Sequence, residues 1–214
     1  MYVPADYRTP DPSWVAELVS SHPLALLCTN GDGTPHATHL PVITRPGSAF
    51  EPGGMLVGHM NRANPHWSSL VSGGALLVFT GPHAYVSPTV YDVTPAAPTW
   101  DFTAVHVRGT ITPIVDRGET MSVITATVSA FESRLGNDWD MGPSCGYFNK
   151  IVPGVGAFRF EIDDIQAMFK LSQEQRPEVR QRVWQSFADS EVGQDRALAD
   201  LIARAVEHDA HPNP

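Results

Sequence analysis

Cysteine and positive charge are both scarce in this sequence, and each shortage removes a class of protein. The two cysteines, Cys28 and Cys145, lie far apart and fit no metal-binding spacing such as C-x2-C. A disulfide framework and a zinc module are therefore excluded, and free, buried thiols are expected. Fourteen Lys and Arg stand against 23 Asp and Glu, a formal net charge of −9, and no run of bases appears. A broad duplex-binding surface needs clustered cations, so direct nucleic-acid binding is not expected. No apolar run approaches membrane-spanning length, and the N-terminus lacks the charged and apolar regions of a secretory leader. The expectation is a soluble protein in a reducing, cytoplasmic setting, away from membranes. The chain also has no G-x-S-x-G elbow, no Walker loop and no G-x-G-x-x-G. Its nine histidines form no H-x3-H helical pair and no H-E-x-x-H, so no metal site is expected.

What is present is globular. Apolar residues make up 42% and charged residues 17%, and 214 residues can bury a substantial core. We read one domain over 1–214, with a helical extension from about 178 to 214. The nineteen prolines are spread through loops and form no linker.

Taken in order, an extended lead-in passes to a helix opening at Pro12, capped by Thr9 or Asp11. Trp14, Val15, Leu18 and Val19 form its apolar face, and His22-Pro23 ends it. The run 24–29, a turn at Asn30-Gly31-Asp32-Gly33 and an extended run 35–43 make a hairpin. A strand at Met55–Gly58 leads into a helix beginning at Pro65, followed by a strand at Ala75–Thr80. Gly81-Pro82 is expected to bend the chain sharply before it continues extended to Pro88. A polar loop over 91–99 precedes a long strand from Trp100 to Ile114, bent at Gly109. Glu119 to Leu135 has helical spacing of Met121, Ile124, Val128 and Phe131. Tyr147–Ile151 is short and helical or irregular. A strand from Val155 to Ile162 carries Phe158 and Phe160 on one face and can extend through 165–171. Two last helices carry Val179, Val183 and Phe187, then Ala197, Leu198, Leu201, Ile202 and Ala205, and the tail from His208 frays. About six strands with few intervening helices give a mainly β protein of α+β class. The expected fold is an antiparallel β-barrel with flanking and C-terminal helices, since regular β-α alternation is missing.

The densest group of anion-capable donors is Gly58 to Trp67. Here a strand runs into a helix N-terminus, with Asn64 as cap and Pro65 in the first turn. His59, Asn61, Arg62 and Asn64 cluster beside free N–H groups, which suits a phosphate. The plainer reading pairs Arg62 with a surface carboxylate and leaves Asn64 as a cap. Thr38 and Leu40 lie on one side of an extended strand and His39 on the other, so a polar group faces a site or solvent. His83, Tyr85, Trp100 and His106 are pocket candidates, with core packing the preferred reading for Tyr85. Lys170 could neutralise an anion or an electron-rich ring, and Gln173 could read a carbonyl or imide edge.

Several blocks resemble, in order, the PaiB-like family of FMN-binding proteins. They are the opening Met-Tyr-Val-Pro, Ala-Thr-His-Leu-Pro at 37–41 and the 58–67 stretch, then Phe-Thr-Gly-Pro-His-Ala-Tyr-Val-Ser-Pro at 79–88. Pro-Thr-Trp at 98–100, Ala-Val-His-Val-Arg-Gly at 104–109 and Lys-Leu-Ser-Gln at 170–173 complete the set, which spans roughly 1–185. The resemblance implies an FMN-binding split β-barrel related to pyridoxamine-phosphate oxidases, built as a homodimer with flavin at the subunit interface. It implies that Thr38, His39 and Leu40 lie along the isoalloxazine and that the turn of His59, Met60, Asn61, Arg62 and Asn64 holds the phosphate. Lys170 and Gln173 would come from the neighbouring subunit or close the ring end. A small-molecule redox flavoprotein is the leading reading. The alternatives are a regulatory protein that uses FMN as a structural or sensing element, and the same fold with haem or no ligand. Family members are often labelled negative transcriptional regulators, to which this acidic chain without a helix-turn-helix adds little support.

Overall fold

The computed structural model describes residues 1–31, 33–136 and 139–210. Six strands close into an antiparallel barrel in the order β1-β2-β3-β6-β5-β4. They are β1 (Leu24–Thr29), β2 (His36–Thr44), β3 (Met55–Asn61), β4 (Gly73–Val86), β5 (Thr99–Pro113) and β6 (Val155–Lys170). Seven α-helices accompany them among the described residues: α1 (Ser13–Ser21), α2 (Pro65–Ser69), α3 (Pro88–Tyr91), α4 (Arg117–Leu135), α5 (Cys145–Ile151), α6 (Pro177–Ala188) and α7 (Gly193–Ala210). Neither these helices nor any other among the described residues is long and apolar enough to cross a membrane. By contact the chain divides into two compact units, and β4, β5 and β6 contribute residues to both.

One unit comprises 20–79 and 106–165. Its hairpin pairs Leu24 with Pro41 through Thr29 with His36, as the apolar runs flanking the Asn-Gly turn predict; Asp32 of that turn lies outside the described residues. Phe79, Phe158 and Phe160 are fully buried, each contributing on the order of 1.5–3 kcal/mol on burial. The helix α4 lies on β2 and β3 with Val123 among Val57, Ile114 and Ala157. Its buried face is Thr120, Val123, Ile124 and Thr127. Of the expected stripe, Met121, Ile124, Val128 and Phe131, Ile124 keeps its place on this face and the rest of it is taken by threonines, whose hydroxyls donate back to carbonyls one turn earlier and so can face the barrel. Arg159 on β6 donates through Nε and Nη2 to the carboxylate of Glu119 at the start of this helix.

The other unit comprises 1–19, 80–105 and 166–214. The helix α1 buries the predicted Trp14, Val15, Leu18 and Val19, and Trp14 meets Phe169 edge-on at 6.0 Å. Asp11 supplies its N-terminal acceptor, taking the Ser13 N–H at 2.8 Å. The helices α6 and α7 pack on each other through Val179, Val183, Phe187, Leu198 and Ile202. Helix α7 stays regular through Ala210, past the fraying expected from His208; residues 211–214 lie outside the described ones.

Two boundary expectations are corrected. The chain does not bend at Gly81-Pro82: β4 runs unbroken from Gly73 to Val86, and a Cβ on Gly81 would stand 2.3 Å from the Thr103 hydroxyl. Glycine is needed there for close approach. The strand from 55 continues past Gly58 to Asn61, while the strand from 155 runs on to Lys170, as the extension through 165–171 allowed. The cysteines are free, but Cys28 is only half-buried and Cys145 is exposed. Burial raises the Cys28 thiol above its ordinary pKa, keeping it protonated.

Gly109 shows the same close approach most sharply, since a Cβ there would lie 2.0 Å from the Glu161 carbonyl and 2.4 Å from the Phe160 ring. Gly109→Ala is therefore expected to lower the urea midpoint by an amount worth about 1–3 kcal/mol, the range for overpacking a closed core. An unchanged midpoint would show that the strands can yield at this point.

Candidate functional site

The ladder between β2 and β3 contains only three pairs, Val42 with Gly58, Ile43 with Val57 and Thr44 with Leu56. The next partners in antiparallel register would be Pro41 and His59, and proline has no N–H to give. Gly58 lets the strands approach to the last pair, where a Cβ would stand 3.0 Å from the Pro41 carbonyl. Beyond it they part. β2 remains paired to β1 through Thr38–Pro41, while β3 pairs to β6 as His59 with Ala157, Met60 with Gly156 and Asn61 with Val155. Between them lies a groove of about 540 Å³. Its walls are Thr38, His39, Leu40 and Pro41 on one side and His59, Met60 and Asn61 on the other, with Asn64, Ile151, Gly154 and Val155 at the end.

Seven of the ten residues singled out as cofactor contacts thus meet in one groove, from blocks about twenty residues apart in sequence. Arg62 sits at its turn, where its N–H bonds the Gly154 carbonyl and its Nε the Val155 carbonyl, each at 2.9 Å. Its guanidinium lies 5.5 Å from the Trp67 ring centre, and its side-chain hydrogen bond among the described residues is made by Nε, not by the Nη groups. Trp67 in turn lies against Gly156, where any Cβ would strike the indole at 2.4 Å.

The turn does not offer the free backbone donors expected of a helix N-terminus. Helix α2 is five residues long, and Asn64 caps it by accepting the His66 N–H. The N–H groups of Arg62, Ala63, Asn64, His66 and Trp67 all bond within the protein. Donors available to a ligand are therefore side chains: the Arg62 Nη groups, Asn61 Nδ2, whose Oδ1 is taken by Ala63 N–H at 2.8 Å, and the His59 ring. The Nδ1 of His59 is buried with no hydrogen-bond partner among the described residues. Burial lowers the His59 pKa, so the ring is neutral near pH 7.

His66 is the residue that reading the motif missed. It is 2% exposed, and its Nε2 and Nδ1 each lie 2.8 Å from a hydroxyl, those of Thr29 and Thr38. Thr38 also accepts from Asn64 Nδ2 at 3.2 Å, so one buried imidazole fixes both a wall residue of the groove and the cap of the turn. His36 stacks on it at 5.2 Å. The Asn-Pro-His spacing, which puts a histidine on the buried side of the first helical turn, was the available signal.

The remaining candidates belong to the other unit, apart from a half-buried His106 whose pKa burial lowers. Lys170 is buried and donates to the Thr99 hydroxyl at 2.7 Å and the Trp100 carbonyl at 2.8 Å, with Asp101 at 3.5 Å and the Tyr7 ring centre at 5.5 Å. Ser172 donates to the same Asp101 at 2.6 Å. Burial raises the Asp101 pKa, against the lowering pull of Ser172 and Lys170. Gln173 spans the backbone, accepting from Leu171 N–H and donating to the Phe169 carbonyl. Both Lys170 and Gln173 thus serve to fix the end of β6. Trp100 gathers His83 and Tyr85 at 5.8 and 6.1 Å. Tyr85 is 51% exposed, which corrects the core reading preferred for it, and Trp100 is 52% exposed. On a strand longer than expected, Tyr85 falls on the outward side of the alternation that buries Ala84 and Val86.

A closed antiparallel barrel parted along one seam by a donor-lined groove is the architecture of the split-barrel flavin-binding proteins. Among solved structures, the FAD and heme binding protein from Mycobacterium smegmatis superposes with a TM-score of 0.54 at 16% identity, covering 88% of this chain and 78% of that one. The flavocytochrome Anf3 from Azotobacter vinelandii gives 0.53 at 15% identity, covering 75% and 68%. At these identities the likeness is one of fold. Among sequences, the protease synthase and sporulation protein PAI 2 of Bacillus subtilis is 26% identical over 207 residues, covering 94% of this chain and 96% of that protein. Residues 1–164 match the family described as "Putative FMN-binding domain", and the chain belongs to that family. FMN is the cofactor this membership assigns.

Burial and the neighbouring His36 lower the His66 pKa. The unfolded chain takes up a proton near pH 6.5 that the folded chain refuses, so this contribution to stability is complete above that pH and lost as pH falls through it. The melting temperature should therefore drop between pH 7.5 and 5.5, and His66→Gln should flatten the slope. Parallel melting curves for the two proteins would reject the assignment.

Proposed function

We propose that the groove between β2 and β3 holds FMN and that the chain is a flavoprotein acting in redox chemistry on a small molecule. The observation that carries this reading is the seam itself. It gives an unpaired edge of β2, a volume inside the range of about 300–1,000 Å³ usual for small-molecule sites, and a buried His59 Nδ1 without a partner. The residues present fit the group. Arg62 is held at Nε by the Val155 carbonyl, so its two Nη groups are pre-oriented as a fork for a phosphate, with Asn61 Nδ2 beside them. Neutral His59 can donate or accept without placing a charge in the groove. The strand edge at Thr38–Leu40 supplies main-chain donors and acceptors to the flat, hydrogen-bonding rim of an isoalloxazine, and buried Leu40 and Met60 are the apolar surface beneath it.

Bound FMN supplies electron-transfer chemistry that no side chain here carries. The protein's part is orientation: Thr38 is fixed by His66 and Asn64, and Arg62 by β6. The functional form in this reading is a homodimer, supported by the family resemblance and by the exposed Tyr85 and Trp100 rings, which a second copy or a substrate would cover. A regulatory reading, in which flavin acts as a sensor for a protein partner, draws support from the name of the B. subtilis relative. Anaerobic addition of NAD(P)H separates the two: bleaching of the flavin band with turnover supports the enzyme, and an inert yellow protein supports the regulator.

Arg62→Ala is expected to weaken FMN by about 1.5–3 kcal/mol, the magnitude of a hydrogen bond to a charged group, read by quenching of flavin fluorescence on titration. Riboflavin, lacking the phosphate, should bind both proteins equally. Equal FMN affinity for the two proteins would remove Arg62 from the site, and a colourless protein that ignores added FMN would remove the reading altogether.

A further inference from the structure

We propose that the crevice between α6 and α7 is a second ligand site, for a small monocarboxylic acid with an apolar body. None of its lining residues is shared with the groove. The crevice has a volume of about 580 Å³, and Trp184 from α6 with Ile202 and Val206 from α7 give it apolar walls. At its base is Arg180, in the first turn of α6 and only 9% exposed, whose Nε is buried with no hydrogen-bond partner among the described residues. Among the described residues the guanidinium has one ion pair, Nη1 to Asp209 Oδ2 at 3.2 Å, and that carboxylate is 61% exposed. Water screens a pair of this kind, so the buried cation is poorly compensated.

Two further features bear on the charge of the ligand. Helix α6 begins without a side-chain cap, because its capping position is Arg176, which has no acceptor atom. Its N-terminus keeps the positive end of the helix dipole in the turn that carries Arg180, although Pro177 has no N–H and those of Val179 and Arg180 bond the Arg176 carbonyl. A carboxylate offers two coplanar oxygens, the match for a guanidinium fork, and would replace Asp209 as its partner. The charge limit comes from the rim, where Glu207 and Asp209 are both exposed acids. They repel a dianion such as phosphate and leave a singly charged head group favoured. The apolar walls require the remainder of the ligand to be a hydrocarbon chain or ring of modest size.

The test uses the full chain, with octanoate as the probe, followed by titration calorimetry at low ionic strength. Saturable octanoate binding is expected, with no comparable heat from octylamine or inorganic phosphate. Arg180→Gln should weaken octanoate about tenfold or more, the loss expected for a charge-assisted hydrogen bond, and Arg180→Lys should recover part of it. Since replacing a buried arginine can perturb the helix pair, Val206→Asp gives an independent check. Val206 is 47% exposed, so the fold tolerates the change while the new charge repels the ligand. Octylamine binding as tightly as octanoate would reduce the site to a greasy surface, and phosphate displacing octanoate would make it a generic anion site. Either result, or octanoate affinity untouched by both Arg180→Gln and Val206→Asp, overturns the proposal.

Discussion

The seam where β2 and β3 separate is the constraint on which the site depends. A barrel gains by pairing every strand edge, since an unpaired edge leaves donors and acceptors exposed. Here the ladder stops after three pairs because Pro41 has nothing to donate, and Gly58 permits close approach only up to that point. Both strands stay in place because each is anchored on its far side, β2 by β1 and β3 by β6. The result is a slot with rigid walls and unspent hydrogen-bonding capacity, held open by strands that are themselves fully committed. A cofactor slot built this way needs no mobile loop to form it.

Around the slot, burial and bonding divide the polar residues into two groups. Asn64, Thr38 and His66 bond one another, and with the turn's N–H groups they are consumed in holding shape. His59 Nδ1, Asn61 Nδ2 and the Arg62 Nη groups are left over. An anion at this turn is therefore met by side chains on a stiff support, and the short helix beside them serves as a bracket. In the other unit, Lys170 and Gln173 fall in the consumed group, with Asp101 and the end of β6 as their partners.

Much of the fold was legible because its signals are local. The Asn-Gly turn between apolar runs fixed the hairpin, and the spacing of Trp14, Val15, Leu18 and Val19 fixed the face of α1. The groove residues were legible as motif blocks, yet sequence could not show that Thr38 and His59 face each other across a gap, which depends on where a ladder ends. Glycine misled at position 81, where an apparent bend is a close contact with Thr103, a partner more than twenty residues away. The threonines of α4 misled too, since hydroxyls that bond their own helix can be buried where a hydropathy stripe expects Met or Val. Lys170 was read by its charge, but its neighbours Thr99, Trp100 and Asp101 come from a distant strand and take up its donors.

The clasp of Lys170 and Ser172 on Asp101, with Tyr7 over the lysine, also bears on how the chain is made. It joins the opening residues, a strand near the middle and the end of the last strand, and the unit it belongs to is assembled from those three separated segments. During synthesis Trp14 of α1 cannot meet Phe169, its edge-on ring partner, until 155 further residues have been added. The last contacts of this unit therefore form late, and a unit whose partners lie so far apart in sequence is expected to complete its folding only when synthesis is nearly done.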